Sequence, residues 1–136
     1  DLSGHSDAVG GALCVEDDEL AERLHAQRTA MGSVPGSLEV WLLLRSLRTL
    51  SLRLERHCSS ATTIATWLDE SVAGAEHPLH GLVRRVWHPS LPSHPGHDIA
   101  TRQMAPRLFG GVLSVELHSE AAARALTSQL QVPPLS

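Results

Sequence analysis

The stretch of residues 35–68, PGSLEVWLLLRSLRTLSLRLERHCSSATTIATWL, carries the strongest periodic pattern in the chain. Apolar or small side chains recur in it at steps of three or four residues: Val40, Leu43, Leu44, Leu47, Leu50, Leu54, Cys58, Ala61, Ala65 and Leu68. This spacing predicts one long helical stripe, formed by one helix or by two nearly collinear helices. A stripe of this length favours a segment that bridges two structural units, and we place the junction near Leu50. We interpret the stripe as core packing rather than as a membrane or partner-helix surface.

The residues before this stripe predict a strand and then a helix. Residues 8–15, AVGGALCV, form a short apolar run with a glycine pair, which is typical of a buried strand. Residues 16–19 are all acidic and suit the electropositive start of a helix. Gly32 provides a left-handed stop for that helix.

The residues after the stripe alternate between loops, strands and helices. The predicted elements are a loop over residues 71–81, a strand over 83–87, a proline-rich loop over 88–96, a helix over 97–104, a strand over 110–117 and a helix over 119–130. Ser119 is the expected N-cap of the last helix. The chain is therefore predicted to have a mixed α/β fold.

Composition limits both the size and the partners of the protein. The 136 residues suffice for one ordinary domain, or for parts of two. A formal charge of −4 gives no electrostatic reason to expect nucleic acid or an anionic membrane as a partner. Arg45 and Arg48 interrupt the most apolar run, so we expect no membrane span and a soluble protein. Two cysteines, Cys14 and Cys58, are expected to be reduced core thiols in a cytoplasmic protein, and the opening on Asp1 indicates a truncated or processed start.

The basic residues are all of one type. All eleven are arginine, and lysine, tyrosine and asparagine do not occur in the chain. A cofactor held as a Schiff base needs a primary amine on a side chain, and the guanidinium of arginine cannot replace it. Such chemistry cannot be completed within these residues.

Other candidate sites carry less weight. Five histidines within twenty-one positions raise the question of a metal site: His77, His80, His88, His94 and His97. Their spacers are prolines on a loop, without a nearby cysteine, so we predict no metal site. Ser6 with its neighbours His5 and Asp7 does not form a triad, because adjacent residues of an extended segment point in different directions. The pair Gly110-Gly111 precedes a strand rather than opening a helix, so it does not indicate a nucleotide site.

A resemblance to a known family begins at Gly4-His5-Ser6-Asp7. This run and the apolar segment after it resemble the stretch that follows the cofactor lysine in pyridoxal-phosphate (PLP) enzymes of the trans-sulfuration family, the cystathionine gamma-lyases and gamma-synthases. The lysine would stand immediately before Asp1. Two further runs are similar to the family in order and spacing: MGSVP at residues 31–35 resembles Leu-Gly-Ala-Val-Pro, and RSLRTL at residues 45–50, with Arg53 beyond it, resembles Arg-Gly-Leu-Lys-Thr-Leu.

The resemblance continues to the second half of the chain. HPSLPSHP at residues 88–95 is similar to the family's Tyr-Pro-Gly-Leu-Pro-Ser-His-Pro loop, and Gln103 precedes a glycine pair and a strand as in the family. Three stretches depart from it: residues 71–81 look like an insertion, residues 104–109 are longer than the family's link, and residues 131–136 drift from it.

The resemblance implies a fold-type I PLP-transferase architecture. Residues 1–50 would be the end of the large cofactor-binding domain and residues 51–136 the first part of the small C-terminal α/β domain, joined by the long helix. The family's catalytic and cofactor-binding residues would lie outside this chain, so the resemblance implies no catalytic, cofactor-binding or metal residue here. Gly4, His5, Ser6 and Asp7 would be adjacent to the cofactor.

The resemblance also implies an activity for the parent enzyme. The parent would be a carbon-sulfur lyase or synthase that uses PLP and a sulfur-containing amino-acid substrate, and it would form a homotetramer. This chain alone would bind no cofactor and would be inactive. The alternative is a non-catalytic interaction remnant that docks on an intact family member through apolar surface.

Overall fold

The computed structural model describes residues 2–130, which form five helices and two strands. In chain order they are α1 (Asp18–Met31), α2 (Ser37–Leu47), α3 (Leu50–Ala73), β1 (Val83–Trp87), α4 (His97–Gln103), β2 (Ser114–Leu117) and α5 (Glu120–Gln129). The chain divides into two compact units between Arg53 and Leu54, within α3. None of the described helices is long and apolar enough to cross a membrane. The departure predicted for residues 131–136 lies outside the described residues.

The ends of α1 follow from local chemistry. The Asp17 side chain accepts a hydrogen bond of 2.6 Å from the Leu20 amide, so the helix begins at Asp18 rather than at Glu16. Gly32 ends the helix in the left-handed region at φ 68°, and its amide donates to the carbonyls of Arg28 and Thr29. The predicted glycine stop is confirmed, and of the four acidic residues predicted for the first turn Asp18 and Glu19 lie there.

Replacing Gly32 with alanine is expected to destabilise the end of α1 by about 1 kcal/mol, because a side chain is disfavoured at this φ. A Cβ at this position would meet no atom within 4 Å, so backbone strain is the whole expected cost. Thermal unfolding followed by circular dichroism measures the change. A fully neutral substitution would contradict the left-handed cap.

The strand predicted over residues 8–15 is wrong. These residues form an extended segment without strand pairing, and most of their side chains are exposed, including Val9 at 95% and Leu13 at 78%. A strand needs a neighbour to pair with, and β1 and β2 pair with each other within the described residues. Cys14 is also exposed, so the expectation of a core thiol is wrong there and confirmed at Cys58.

The long apolar stripe is divided between two helices. A turn at Arg48 and Thr49 separates α2 from α3, and the Thr49 hydroxyl donates to the Ser46 carbonyl at 3.2 Å. α3 then continues to Ala73, so the loop predicted from Ser71 begins later than expected. Ser71 lies within α3, where its side chain is buried and its hydroxyl donates to the Leu68 carbonyl at 2.6 Å.

The prediction that the apolar stripe packs into a core is confirmed only for its part on α3. Cys58, Ala61 and Ala65 are buried on α3, and Ala65 packs into the core of the second unit. The first-unit part of the stripe is different, because Leu44 and Leu47 on α2 are exposed. The core of the second unit consists of Ala65, Val83, Val86 and Leu91, with Leu68, Leu79, Leu113, Val115 and Leu117 packed around it.

β1 and β2 form an antiparallel pair with an irregular register. Val83 lies opposite Leu117 and Val86 opposite Val115, with a register shift between Val83 and Arg85. Two residues three positions apart ordinarily point to opposite faces of a strand. The shift adds the extra residue that lets Val83 and Val86 both face the core.

The glycine pair before β2 makes that strand shorter than predicted. Gly110 is in the left-handed region at φ 93°, and its carbonyl lies 3.3 Å from His88 Nε2 rather than in the strand ladder. Gly111 lies so close to α3 that a Cβ would be 2.9 Å from the Cβ of His57. Pairing therefore starts at Ser114 instead of Gly110. The helix predicted over 97–104 ends at Gln103, and Ser119 caps α5 by accepting from the Ala122 amide at 3.1 Å.

Candidate functional site

The run Gly4-His5-Ser6-Asp7 forms a sharply turned surface segment in the first unit. Gly4 and Ser6 both have positive φ angles, 69° and 55°, and the side chains from His5 to Asp7 are exposed. The His5 ring turns back on its own segment, with Nδ1 2.9 Å from the Ser3 carbonyl.

Arg53, at the start of α3, holds this segment in place. Its Nη2 donates to the Leu2 carbonyl at 3.3 Å and to the Ser46 carbonyl at 3.0 Å. Its Nε donates to the Thr49 hydroxyl at 3.1 Å. A Cβ on Gly4 would overlap the Arg53 guanidinium, so the backbone of residue 4 lies directly on this side chain. One cation thus joins the entering segment to the turn between α2 and α3.

A small depression lies beside the same segment. Apolar and small residues line most of it, and Glu39 is its charged group; the lining residues are Leu2, Ser3, Ala8, Gly10, Gly11, Ala12, Glu39 and Leu43. A carboxylate at this position repels anions. None of these lining residues carries a cation that would attract a phosphate group.

The five clustered histidines make separate local contacts rather than one shared site. His88 is completely buried, with Nδ1 2.7 Å from the Ser90 hydroxyl and Nε2 3.3 Å from the Gly110 carbonyl. A carbonyl only accepts, so Nε2 carries the ring hydrogen and Nδ1 accepts, also from the Ser90 amide at 3.3 Å. His88 therefore ties the proline-rich loop to the glycine pair.

Two more histidines close turns of the same loop. The Nδ1 of His94 accepts from the Gly96 amide at 3.0 Å, and its ring meets Trp87 edge-on with the centroids 6.2 Å apart. The Nδ1 of His97 lies 2.8 Å from the Pro89 carbonyl.

The remaining two lie near the end of α3. The His77 ring packs against Trp67 with the centroids 4.7 Å apart, and the Nδ1 of His80 is 3.4 Å from the Ser71 carbonyl. Among residues 2–130, no group of three or more His, Cys, Asp or Glu side chains is arranged to hold a metal ion.

The chain matches a known enzyme family in sequence. The sequence model of the Cys/Met metabolism PLP-dependent enzyme family matches residues 2–136. The chain belongs to this family. It is 44% identical over 117 residues to a cystathionine beta-lyase of Coxiella burnetii. The aligned region is 85% of this chain and 27% of the relative. The chain is also 43% identical over 132 residues to a cystathionine gamma-synthase of Mycobacterium bovis. Here the aligned region is 96% of this chain and 31% of the relative.

Solved structures of the family agree with the fold. A cystathionine gamma-synthase of Xanthomonas oryzae pv. oryzae, in complex with aminoacrylate and cysteine, superposes with a TM-score of 0.82 at 39% identity over 99% of this chain and 32% of that one. A yeast cystathionine gamma-lyase gives a TM-score of 0.77 at 32% identity over 94% of this chain and 30% of that one. The predicted fold-type I α/β architecture is confirmed, and the chain spans about a third of the length of these relatives.

The described residues do not form a PLP site by themselves. The chain has no lysine to hold the cofactor aldehyde, and the charged group of the depression beside the Gly4 segment is the carboxylate of Glu39, which repels a phosphate. The family's cofactor therefore does not fit this depression on its own. Sequence reasoning missed Arg53 as the residue that holds the segment; its place just beyond the RSLRTL run was the only available signal.

Proposed function

We propose that the whole protein is a PLP-dependent carbon-sulfur lyase or synthase of sulfur amino-acid metabolism. Support comes from the match to the Cys/Met metabolism family over residues 2–136 and from the near-equal identities to a cystathionine beta-lyase and a cystathionine gamma-synthase. The substrate is then a sulfur-containing amino acid. PLP, when bound, acts as the electron sink for a carbanion of that amino acid.

Within that enzyme, this chain contributes structure rather than catalytic groups. Residues 1–50 would complete the large domain and residues 51–136 would begin the small one. Gly4, His5, Ser6 and Asp7 would follow the cofactor lysine after three residues and set its position by packing and hydrogen bonds. The absence of lysine, and so of a side-chain primary amine, is the single observation that carries the proposal of inactivity for this chain alone.

Exposed apolar side chains support the view that more protein covers this chain. Val9, Leu13, Trp41 and Leu44 are between 58% and 95% exposed. Large exposed apolar patches usually mark a surface that another protein part covers. We attribute them to contacts with the rest of a cytoplasmic, homotetrameric enzyme.

An absorption spectrum tests the proposed inactivity of the chain. After incubation with PLP and removal of the excess, we expect no visible band from cofactor bound to an amine, because no lysine is present. The matched control is the same chain with its terminal amine acetylated, which removes the remaining primary amine. A stable band in both samples would contradict the proposal.

A second candidate function follows from the same exposed apolar side chains. The chain would be a non-catalytic remnant that docks on an intact family member. The genomic sequence on either side separates the two. A lysine codon directly before Asp1, where the resemblance places the cofactor lysine, and a downstream Ser-Leu-Gly-Gly segment, which the resemblance implies for the substrate loop, support the enzyme. Their absence favours the remnant.

A further inference from the structure

The Arg53 side chain contacts three separate parts of the first unit. It bonds the backbone at Leu2, the last turn of α2 at Ser46 and the turn hydroxyl of Thr49. The bond to Leu2 spans 51 positions of sequence. The bond to Ser46 is part-buried, whereas the bonds to Leu2 and Thr49 are exposed to solvent.

We infer that Arg53 is a positioning residue, whose guanidinium fixes the backbone of residues 2–4 on the start of α3 and sets the direction in which the preceding chain leaves. This inference deepens the proposed function, and rests on it for the expectation that the cofactor lysine stands just before Asp1. The anchoring of residues 2–4 itself does not depend on that expectation.

The chemistry of arginine suits this role better than that of lysine. A guanidinium is planar and presents several N–H donors in fixed directions, so Nε and Nη2 can serve three acceptors at once. A lysine ammonium keeps the charge and has three N–H donors, but all three are on one nitrogen. It can hold the Ser46 and Leu2 carbonyls with weaker directional control, and it lacks the separate Nε donor that bonds the Thr49 hydroxyl.

Gly4 is the complementary half of the anchor. The absence of a Cβ lets its backbone lie against the guanidinium, where any other residue would overlap it. Gly32 is a suitable control for Gly4. Its φ of 68° nearly equals the 69° of Gly4, but a Cβ added at Gly32 would meet no atom within 4 Å. The effect of alanine at Gly4, beyond its effect at Gly32, therefore reports the contact with Arg53.

NMR relaxation of the labelled chain tests the anchor. In Arg53→Ala, the amide order parameters of residues 3–6 are expected to fall from about 0.85 to below about 0.6. Arg53→Lys should give an intermediate loss. The matched control is Arg56→Ala, an exposed arginine one turn further along α3. Unchanged order parameters in Arg53→Ala, or an equal loss in the control, would overturn the inference.

The glycine comparison gives an independent check. Gly4→Ala should loosen residues 3–6 as Arg53→Ala does, whereas Gly10→Ala should not, because a Cβ there meets nothing within 4 Å. In the Arg53→Ala background, the further loss of stability caused by Gly4→Ala should shrink to the loss that Gly32→Ala causes by itself. Full additivity of the two substitutions would show that they do not share a contact.

The whole protein that contains this chain tests the positioning role itself. There, Arg53→Ala should lower kcat by about tenfold to a hundredfold with a smaller change in KM, because a small displacement of a reacting group affects the chemical step most. Arg53→Lys should restore part of the loss. An unchanged kcat would overturn the positioning role, whereas a wild-type protein without a cofactor band would instead contradict the proposed function.

Discussion

Replacing Ala65 with aspartate is expected to destabilise the second unit by about 3–5 kcal/mol, since it places an unpaired charge in the core. Ala65 is 0% exposed and packs with Val83, Val86 and Leu91. Small domains have total stabilities of about 5–15 kcal/mol, so a loss of this size removes much of the folded population. Urea unfolding followed by tryptophan fluorescence measures it.

Two further variants keep this prediction testable if the aspartate chain does not fold. Ala65→Leu should cost about 1–3 kcal/mol through overpacking alone. Thr66→Asp adds the same charge at the next position of α3, where the side chain is exposed, and should change the stability by less than about 0.5 kcal/mol. Equal losses for Ala65→Asp and Thr66→Asp would show that burial is not the cause.

Replacing His88 with alanine is expected to cost about 2–4 kcal/mol. The substitution leaves a cavity and removes the ring partners of the Ser90 hydroxyl and the Gly110 carbonyl. Ser90→Ala removes only one of these bonds and should cost about 1 kcal/mol. Equilibrium unfolding in urea gives both values.

Two comparisons identify the cause of the His88 effect. His118→Ala changes an exposed histidine and should stay within about 0.5 kcal/mol of the wild type. The double variant of His88 and Ser90 should be less destabilised than the sum of the single ones, because both belong to one hydrogen-bond network. Strict additivity would argue that the ring does not depend on Ser90.

The sequence predicted those elements whose cause is local. The stop at Gly32 and the cap at Ser119 each depend on residues within one helical turn, and both are observed. The strand over residues 8–15 failed because strand pairing depends on a distant partner that periodicity does not report. The break at Thr49 depends on a hydrogen bond to the Ser46 carbonyl, and the apolar stripe runs across it without interruption.

The candidate site shows the same difference between features with a local cause and features that depend on distant residues. Its place at Gly4 to Asp7 came from a sequence resemblance and remains a prediction. The anchor at Arg53 could not be read from spacing, because it joins positions 51 residues apart. Among five clustered histidines, nothing in the sequence distinguished the fully buried His88 from the others, since burial is set by the tertiary packing around α3 and the two strands.

The pairing of β1 with β2 has a consequence for the isolated chain. Within residues 2–130 each strand has one neighbour, so each presents an open edge of unpaired backbone amides and carbonyls. A pair of strands is marginally stable in water until further strands or packing complete it. Arg84 and Glu116 form a 3.0 Å ion pair across the exposed side of this pair, and such charges oppose strand-to-strand association between copies. Each open edge is a place where a further strand, from another part of a larger protein, can complete the sheet.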